Sequence, residues 1–179
     1  SAISSLATVV CTGLPTVYVN TPDSAAITSK EDWLKNATIS IKGSSYDISS
    51  VKTSIRGRGN STWVQPKKPY ALKLDKKQSI LGMPSHKRWV LIANYLDNSF
   101  MRNEMAFYLS SLMELDYTVR GHFCDLVLNG EYKGLYWLGE AIKPDENRVN
   151  INDGSKTMSD EEDKDYSACA GIKADGIIT

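Results

Sequence analysis

The stretch from Arg56 to Trp63 reads Arg-Gly-Arg-Gly-Asn-Ser-Thr-Trp and combines cations, glycines and neutral hydrogen-bond donors. Glycines let backbone N–H groups approach an anion closely and permit the positive φ angles that a concave anion site needs. Guanidinium forks match phosphate oxygens, and short polar side chains add neutral donors. These types predict a phosphate-binding loop formed by Arg56, Arg58, Gly59, Asn60, Ser61 and Thr62. An ordinary solvated hairpin loop is the alternative, because the spacing fits neither standard nucleotide fingerprint.

Two further charged residues lie downstream of this loop. Alternation over Tyr70–Leu74 predicts a strand on which Lys73 faces away from its apolar neighbours. Apolar residues at helical spacing predict one helix over 97–113, where Glu104 is flanked by aromatic side chains. A buried carboxylate needs a cationic partner, and we expect Lys73, Arg56 or Arg58 to supply it. Alternatively Glu104 reaches solvent, or its pairing with Lys73 is only a structural ion pair.

Elements that must position these residues are mostly strands. Alternating or apolar segments at 14–20, 37–42, 46–55 and 89–94 read as strands, and 123–138 reads as a hairpin turning at Asn129–Gly130. Ser29 and Asp32 resemble a capping box that opens a short helical turn. The pattern predicts an α+β fold, mainly an antiparallel sheet with one substantial helix over 97–113, in a single domain spanning 1–179.

Composition excludes several classes of function. Lys and Arg together number 21, as do Asp and Glu, and this balance argues against nonspecific binding to nucleic acid or anionic membranes. The sequence has no apolar run long enough for a membrane span. Its three cysteines lack metal-site spacing, and its two histidines lie near no evident nucleophile. The acidic run at 160–163 lacks the oxygen spacing of a calcium loop.

Several short motifs, taken in order, resemble the CotH kinase family from about Leu14 to about Ile151. They are Arg-Gly-Arg-Gly-Asn-Ser-Thr-Trp at 56–63, Lys-Lys-Pro-Tyr at 67–70, Leu-Gly-Met-Pro at 81–84, Trp-Val-Leu at 89–91, Arg-Asn at 102–103, Leu-Asn-Gly-Glu-Tyr at 128–132 and Glu-Ala-Ile-Lys at 140–143. The family comprises atypical, protein-kinase-like proteins of spore coats and bacterial secretions. Its characterised members use ATP and a divalent metal to phosphorylate Ser or Thr of extracytoplasmic proteins.

The resemblance implies a fold like the N-terminal lobe of a protein kinase, with ATP and Mg as cofactors and an extracytoplasmic location. It implies that the glycine-rich loop contacts the nucleotide phosphates, that Lys73 orients them and that Glu104 is the helix partner of Lys73. Glu140 would lie beside the nucleotide base at a hinge, with Lys143 near it.

The sequence departs from the kinase pattern in its second half. Neither H-R-D-x-x-x-x-N nor D-F-G occurs, and the tail over 152–179 is polar and atypical. Its aspartates, Asp160, Asp163, Asp165 and Asp175, have the context of a surface loop rather than of a metal site. We therefore identify no catalytic or metal-ligating residue and expect an incomplete domain with little phosphotransfer activity of its own. The alternative is a noncatalytic extracytoplasmic scaffold or binding module on the same fold.

Overall fold

Seven β-strands form a closed barrel in the computed structural model, which describes residues 12–113 and 115–150. The strands are β1 (Thr16–Asn20), β2 (Leu34–Lys42), β3 (Ile48–Gly57), β4 (Tyr70–Ile80), β5 (Met83–Ile92), β6 (Gly121–Leu128) and β7 (Glu131–Glu140). Within the described residues there is one α-helix, α1 (Arg102–Leu112), and one 3-10 turn, Pro22–Ser24. Around the barrel the order is β1-β2-β3-β4-β5-β7-β6.

Closure of the barrel depends on a parallel contact between β1 and β6. Thr16 pairs with Asp125 and Val19 with Leu128, whereas every other neighbouring pair of strands is antiparallel. Pairing all the way round leaves no sheet edge. The sheet is therefore mixed.

The barrel interior is the hydrophobic core. Alternate residues of each strand point inward, as the two-residue period of a strand requires. The largest fully buried side chains of this interior include Trp89, Tyr136, Ile39, Ile55, Leu72 and Leu126. Residues between them face outward, so Ala71 and Lys73 of β4 lie on the outer surface.

This architecture corrects the predicted α+β fold, including its likeness to the N-terminal lobe of a kinase. The structure is a closed, mixed seven-stranded barrel with one short helix among the described residues. Alternation within a strand shows which side is buried but carries no information about its partner. Closure joins Thr16 to Asp125, a long-range contact that local patterns do not encode.

The helix is shorter than the predicted range 97–113. The Asp97 carboxylate accepts the N–H groups of Ser99 and Arg102, at 3.0 and 2.9 Å, so it organises a turn before the helix. Phe100 follows with φ of 59°, which interrupts any helix over this segment. Similarly, Ser29 closes a turn and no helix follows, because β2 begins at Leu34.

The predicted hairpin at Asn129–Gly130 is confirmed. Both residues have positive φ, 51° and 80°, as a type I′ turn requires. Asn129 also anchors the turn to the barrel, since its side-chain oxygen accepts the N–H of Thr21 at 2.8 Å. The turn was therefore predicted correctly, although the predicted topology of the whole sheet was wrong.

Candidate phosphate-binding site

The glycine-rich loop connects β3 to β4 at one end of the barrel. It is closed at its base by the N–H of Arg58, which donates to the carbonyl of Pro69 at 3.2 Å. Two successive turns follow, because Trp63 N–H donates to Asn60 O at 3.2 Å and Gln65 N–H donates to Thr62 O at 3.3 Å. The backbone of the segment is thus folded into a compact, defined shape.

Trp63 anchors this loop to the barrel. Its indole lies over Gly57, where an added Cβ would come within 2.4 Å of the ring. The same ring packs edge-on against Tyr70, with centroids 6.5 Å apart, and the Lys68 ammonium lies 5.2 Å above it. Gly57 is therefore required for close approach of the indole rather than for direct contact with a ligand.

Four consecutive backbone N–H groups of the loop are available to a ligand. Those of Gly59, Asn60, Ser61 and Thr62 donate to no acceptor among the described residues, and all four residues are exposed. Gly59 has φ of 85°, a left-handed conformation of the kind that builds anion-binding nests. The phosphate-binding role of this loop stays a prediction.

Arg58 precedes these four residues in the chain and carries a cation. Its side chain is partly buried, and among the described residues it has no hydrogen-bond or ion-pair partner. Burial lowers the pKa of Arg58. A guanidinium withdrawn from water without a carboxylate is stabilised by an anion that enters from solvent.

A second group of cations lies on the outer face of β3, β4 and β5. Lys73 pairs in register with Ser54 on one side and with Arg88 on the other. Arg56 lies two residues above Ser54 and donates from Nη1 to the carbonyl of Glu31 at 2.9 Å. Neither Arg56 nor Lys73 forms an ion pair with any carboxylate that the structure describes. Arg56, Lys73 and Arg88 thus lie on the same face of the barrel.

Glu104 is not near this basic face. Its carboxylate accepts the indole N–H of Trp137 at 2.7 Å, and Phe107 of the same helix packs on that ring with centroids 5.2 Å apart. Trp137 pairs with Ile92, four residues along β5 from the Arg88 that neighbours Lys73. That displacement is about 13 Å along the strands and about 10 Å across them. No ion pair joins Lys73 to Glu104 in the part of the chain described.

Glu140 lies at the end of β7 in a saturated network. Its carboxylate accepts the Tyr117 hydroxyl at 3.0 Å and the backbone N–H, Nε and Nη2 of Arg120 at 3.2, 3.0 and 2.9 Å. Buried Arg148 lies 3.8 Å away through its Nε. These donors use the lone pairs of the carboxylate, so it acts as a structural hub. Lys143 follows in the next loop, where its carbonyl accepts the N–H of Val149 at 3.3 Å.

The sequence analysis did not single out Trp33, Lys67 or Arg88 as candidate site residues. The ring centroid of Trp33 lies 4.4 Å from the Cζ of Arg56 and 4.9 Å from the Cζ of Arg88. The Lys67 ammonium lies 4.7 and 4.6 Å from the ring centroids of Phe100 and Tyr136. Burial lowers the pKa of Lys67. The Lys67-Lys68 dipeptide was a visible signal, whereas the contacts of Trp33 and Arg88 depend on strand register.

Carboxylates that could hold a metal are not clustered in this region. The described residues contain no group of three or more His, Cys, Asp and Glu side chains suited to a metal ion. Asp160, Asp163, Asp165 and Asp175 lie outside the described residues. No described helix is long and apolar enough to cross a membrane.

Comparison with known proteins supports one family. The model of the family described as CotH kinase protein matches residues 55–173, which is more than half of the chain. The match begins just before the glycine-rich loop and includes β4 to β7. A search of curated proteins found no match.

Proposed function

Because the chain belongs to the CotH kinase family, we propose that it binds ATP as the nucleotide-facing part of a protein phosphorylating Ser or Thr of extracytoplasmic proteins. Arg58 and the N–H groups from Gly59 to Thr62 hold the phosphates. Arg56 and Lys73 extend the positive surface along which the phosphate chain lies. An extracytoplasmic location belongs to the same proposal and rests on the family alone.

The observation that carries this proposal is that partly buried Arg58 directly precedes four exposed residues whose backbone N–H groups have no acceptor among the described residues. N–H groups and a partly buried guanidinium that have no acceptor among the described residues favour a multiply charged anion over water. A solvated hairpin loop, the alternative, does not require a partly buried arginine that lacks a counter-charge among the described residues. Phosphate, with three oxygens on a terminal group, matches this set of donors better than a single carboxylate.

Phosphoryl transfer needs more than these residues supply. Catalysis rests on metal ions that neutralise developing charge and on a carboxylate that orients the nucleophile. A magnesium ion bound with ATP would supply the first. The residues described here bind and orient the nucleotide, and we expect little or no turnover by this chain alone. Metal-dependent incorporation of radiolabelled phosphate by this chain would contradict that expectation.

Isothermal titration calorimetry with ATP, with and without magnesium, tests the binding proposal. We expect saturable binding that weakens about 10- to 150-fold in each of Arg58→Ala and Lys73→Ala, since a charge-assisted hydrogen bond contributes about 1.5 to 3 kcal/mol. Lys42→Ala is the matched control, because Lys42 is an exposed strand lysine that pairs with Asp47. Equal affinities in all three variants would refute the site, and absence of binding by folded wild-type protein would refute the function.

A second function, a noncatalytic binding module, is favoured by α1. No residue of this helix is buried, and Met105, Tyr108, Leu109 and Leu112 are all more than half exposed. Contiguous exposed apolar side chains mark interaction surfaces. Well-folded protein that binds no nucleotide would favour this function over the first.

A further inference from the structure

The turn that precedes β2 lies against the glycine-rich loop. Gly57 N–H donates to Ser29 O at 2.9 Å, and Arg56 Nη1 donates to the carbonyl of Glu31 at 2.9 Å. The hydroxyl oxygen of Ser29 accepts the N–H of Glu31 at 3.1 Å, which fixes the shape of the turn. Lys30 lies between these anchored residues and is therefore held next to the loop.

The Lys30 side chain reaches the part of the loop that carries the open N–H groups. Its Nζ donates to the Oδ1 of Asn60 at 3.3 Å, which is the one hydrogen bond of this ammonium within the described residues. It forms no ion pair with a described carboxylate, although Glu31 and Asp32 follow it in the chain. An ammonium has three donors. Two of them thus have no acceptor in the part of the chain that the structure describes.

One anion can contact Lys30 and the loop backbone together. The Oδ1 of an asparagine lies within about 4 Å of its own backbone nitrogen, so the Lys30 Nζ lies within about 7 Å of the Asn60 nitrogen. Two hydrogen bonds of about 2.9 Å, made to two oxygens of one phosphate about 2.5 Å apart, span up to about 8 Å. A single phosphate group is therefore large enough to join the two donors.

We infer that Lys30 is a phosphate-binding residue of the nucleotide site and that Asn60 positions its ammonium. The inference rests on the proposed function. The amide oxygen of Asn60 accepts from the ammonium without neutralising it, whereas a carboxylate at that position would compete with the phosphate. Arg58 and Lys30 then supply cations from two separate segments of the chain. Two cations favour a polyphosphate over an anion of single charge.

Calorimetry of Lys30→Ala with ATP and with inorganic tripolyphosphate tests the inference. We expect this change to weaken both ligands about tenfold and to the same extent, because the contact is to phosphate rather than to the base or sugar. Lys30→Arg keeps the charge and should weaken them no more than about threefold. Lys52→Ala is the matched control, because Lys52 is an exposed lysine of β3 about 16 Å along the strand from Gly57.

Salt dependence separates phosphate binding from a contact that only holds the loop in shape. Loss of a lysine that touches the anion should reduce the fall in ATP affinity between low and high salt, because one charge fewer is screened. Wild-type affinity in Lys30→Ala, a loss for ATP but not for tripolyphosphate, or a loss with unchanged salt dependence would overturn this inference alone. A wild-type protein that binds no ATP would overturn the proposed function and this inference with it.

Discussion

Replacing Glu140 by Gln should destabilise the protein strongly without changing its nucleotide site. The carboxylate is fully buried and faces Arg148, whose side chain is 1% exposed, and Arg120. Gln is nearly isosteric, so the change removes charge and one acceptor rather than volume. It leaves the Arg148 guanidinium buried without a counter-charge and turns an amide NH₂ toward donors.

The magnitude follows from the contacts that are lost. Four hydrogen bonds end on the Glu140 carboxylate, three of them from Arg120, and a buried ion pair adds to them. Removing one partner of a buried ion pair costs about 3 to 5 kcal/mol. A domain of ordinary stability has about 5 to 15 kcal/mol, so the variant should unfold at a much lower urea concentration.

Urea unfolding followed by tryptophan fluorescence measures this loss. Glu131→Gln is the matched control: Glu131 pairs with Lys133 at 2.6 Å, but its side chain is 72% exposed. An exposed pair contributes about 0 to 1 kcal/mol, and we expect the control to lose no more than that. Equal losses in the two variants would refute the hub role of Glu140. Reduced ATP affinity of folded Glu140→Gln would show that the residue acts at the nucleotide instead.

Three further outcomes follow from the packing and the pKa shifts. Gly57→Ala should lower the free energy of unfolding by about 1 to 3 kcal/mol, and by less in a Trp63→Leu background, because the new methyl meets the indole. Urea unfolding of the wild type, the two single variants and the double variant checks this. Burial, then the Asp125 charge, raises the pKa of Cys124 to about 12, and burial also raises that of Tyr136. The unfolded chain therefore loses protons first, and stability should fall above pH of about 8.5, by up to about 1.4 kcal/mol per pH unit per group; Cys124→Ala should flatten the measured decline. Burial lowers the pKa of Lys67, so the folded protein loses this proton before the unfolded chain does, and this residue makes stability rise with pH. Lys67→Met should therefore steepen the alkaline decline in the same titration.

Local patterns predicted the parts of this fold that local physics determines. The Asn129–Gly130 turn, the outward face of Lys73 and the glycine-rich loop between two strands all depend on residues close in sequence. Closure between β1 and β6 and the start of α1 at Arg102 depend on distant pairing and on a turn that Asp97 stabilises. The same patterns therefore fit both an open α+β sheet and a closed barrel.

The candidate site residues also divide into those suggested by local sequence and those that depend on distant contacts. The loop from Arg56 to Thr62 was proposed from residue types alone, because glycines and donors act at their own positions in the chain, and its binding role stays a prediction. The partner of Glu104 could not be found in that way, since helical spacing shows which residues flank a carboxylate but not which strand the helix covers. Trp137 provides an indole N–H, a donor that a search for cations overlooks.

The role of Glu104 gives the most direct test of how the helix relates to the nucleotide site. Its bond to Trp137 is 2.7 Å long, and a hydrogen bond to a charged group contributes about 1.5 to 3 kcal/mol. Glu104→Leu should therefore lower the free energy of unfolding by that amount, and Glu104→Gln, whose amide oxygen still accepts, should lower it less. Neither should change ATP affinity, because Lys73 on β4 lies two strands away from Trp137 on β7, the residue that Glu104 contacts. Calorimetry with ATP and urea unfolding of both variants test this expectation. If Glu104→Gln weakens ATP binding but keeps wild-type stability, then α1 approaches Lys73 when the nucleotide binds, and the helix is not separate from the phosphates.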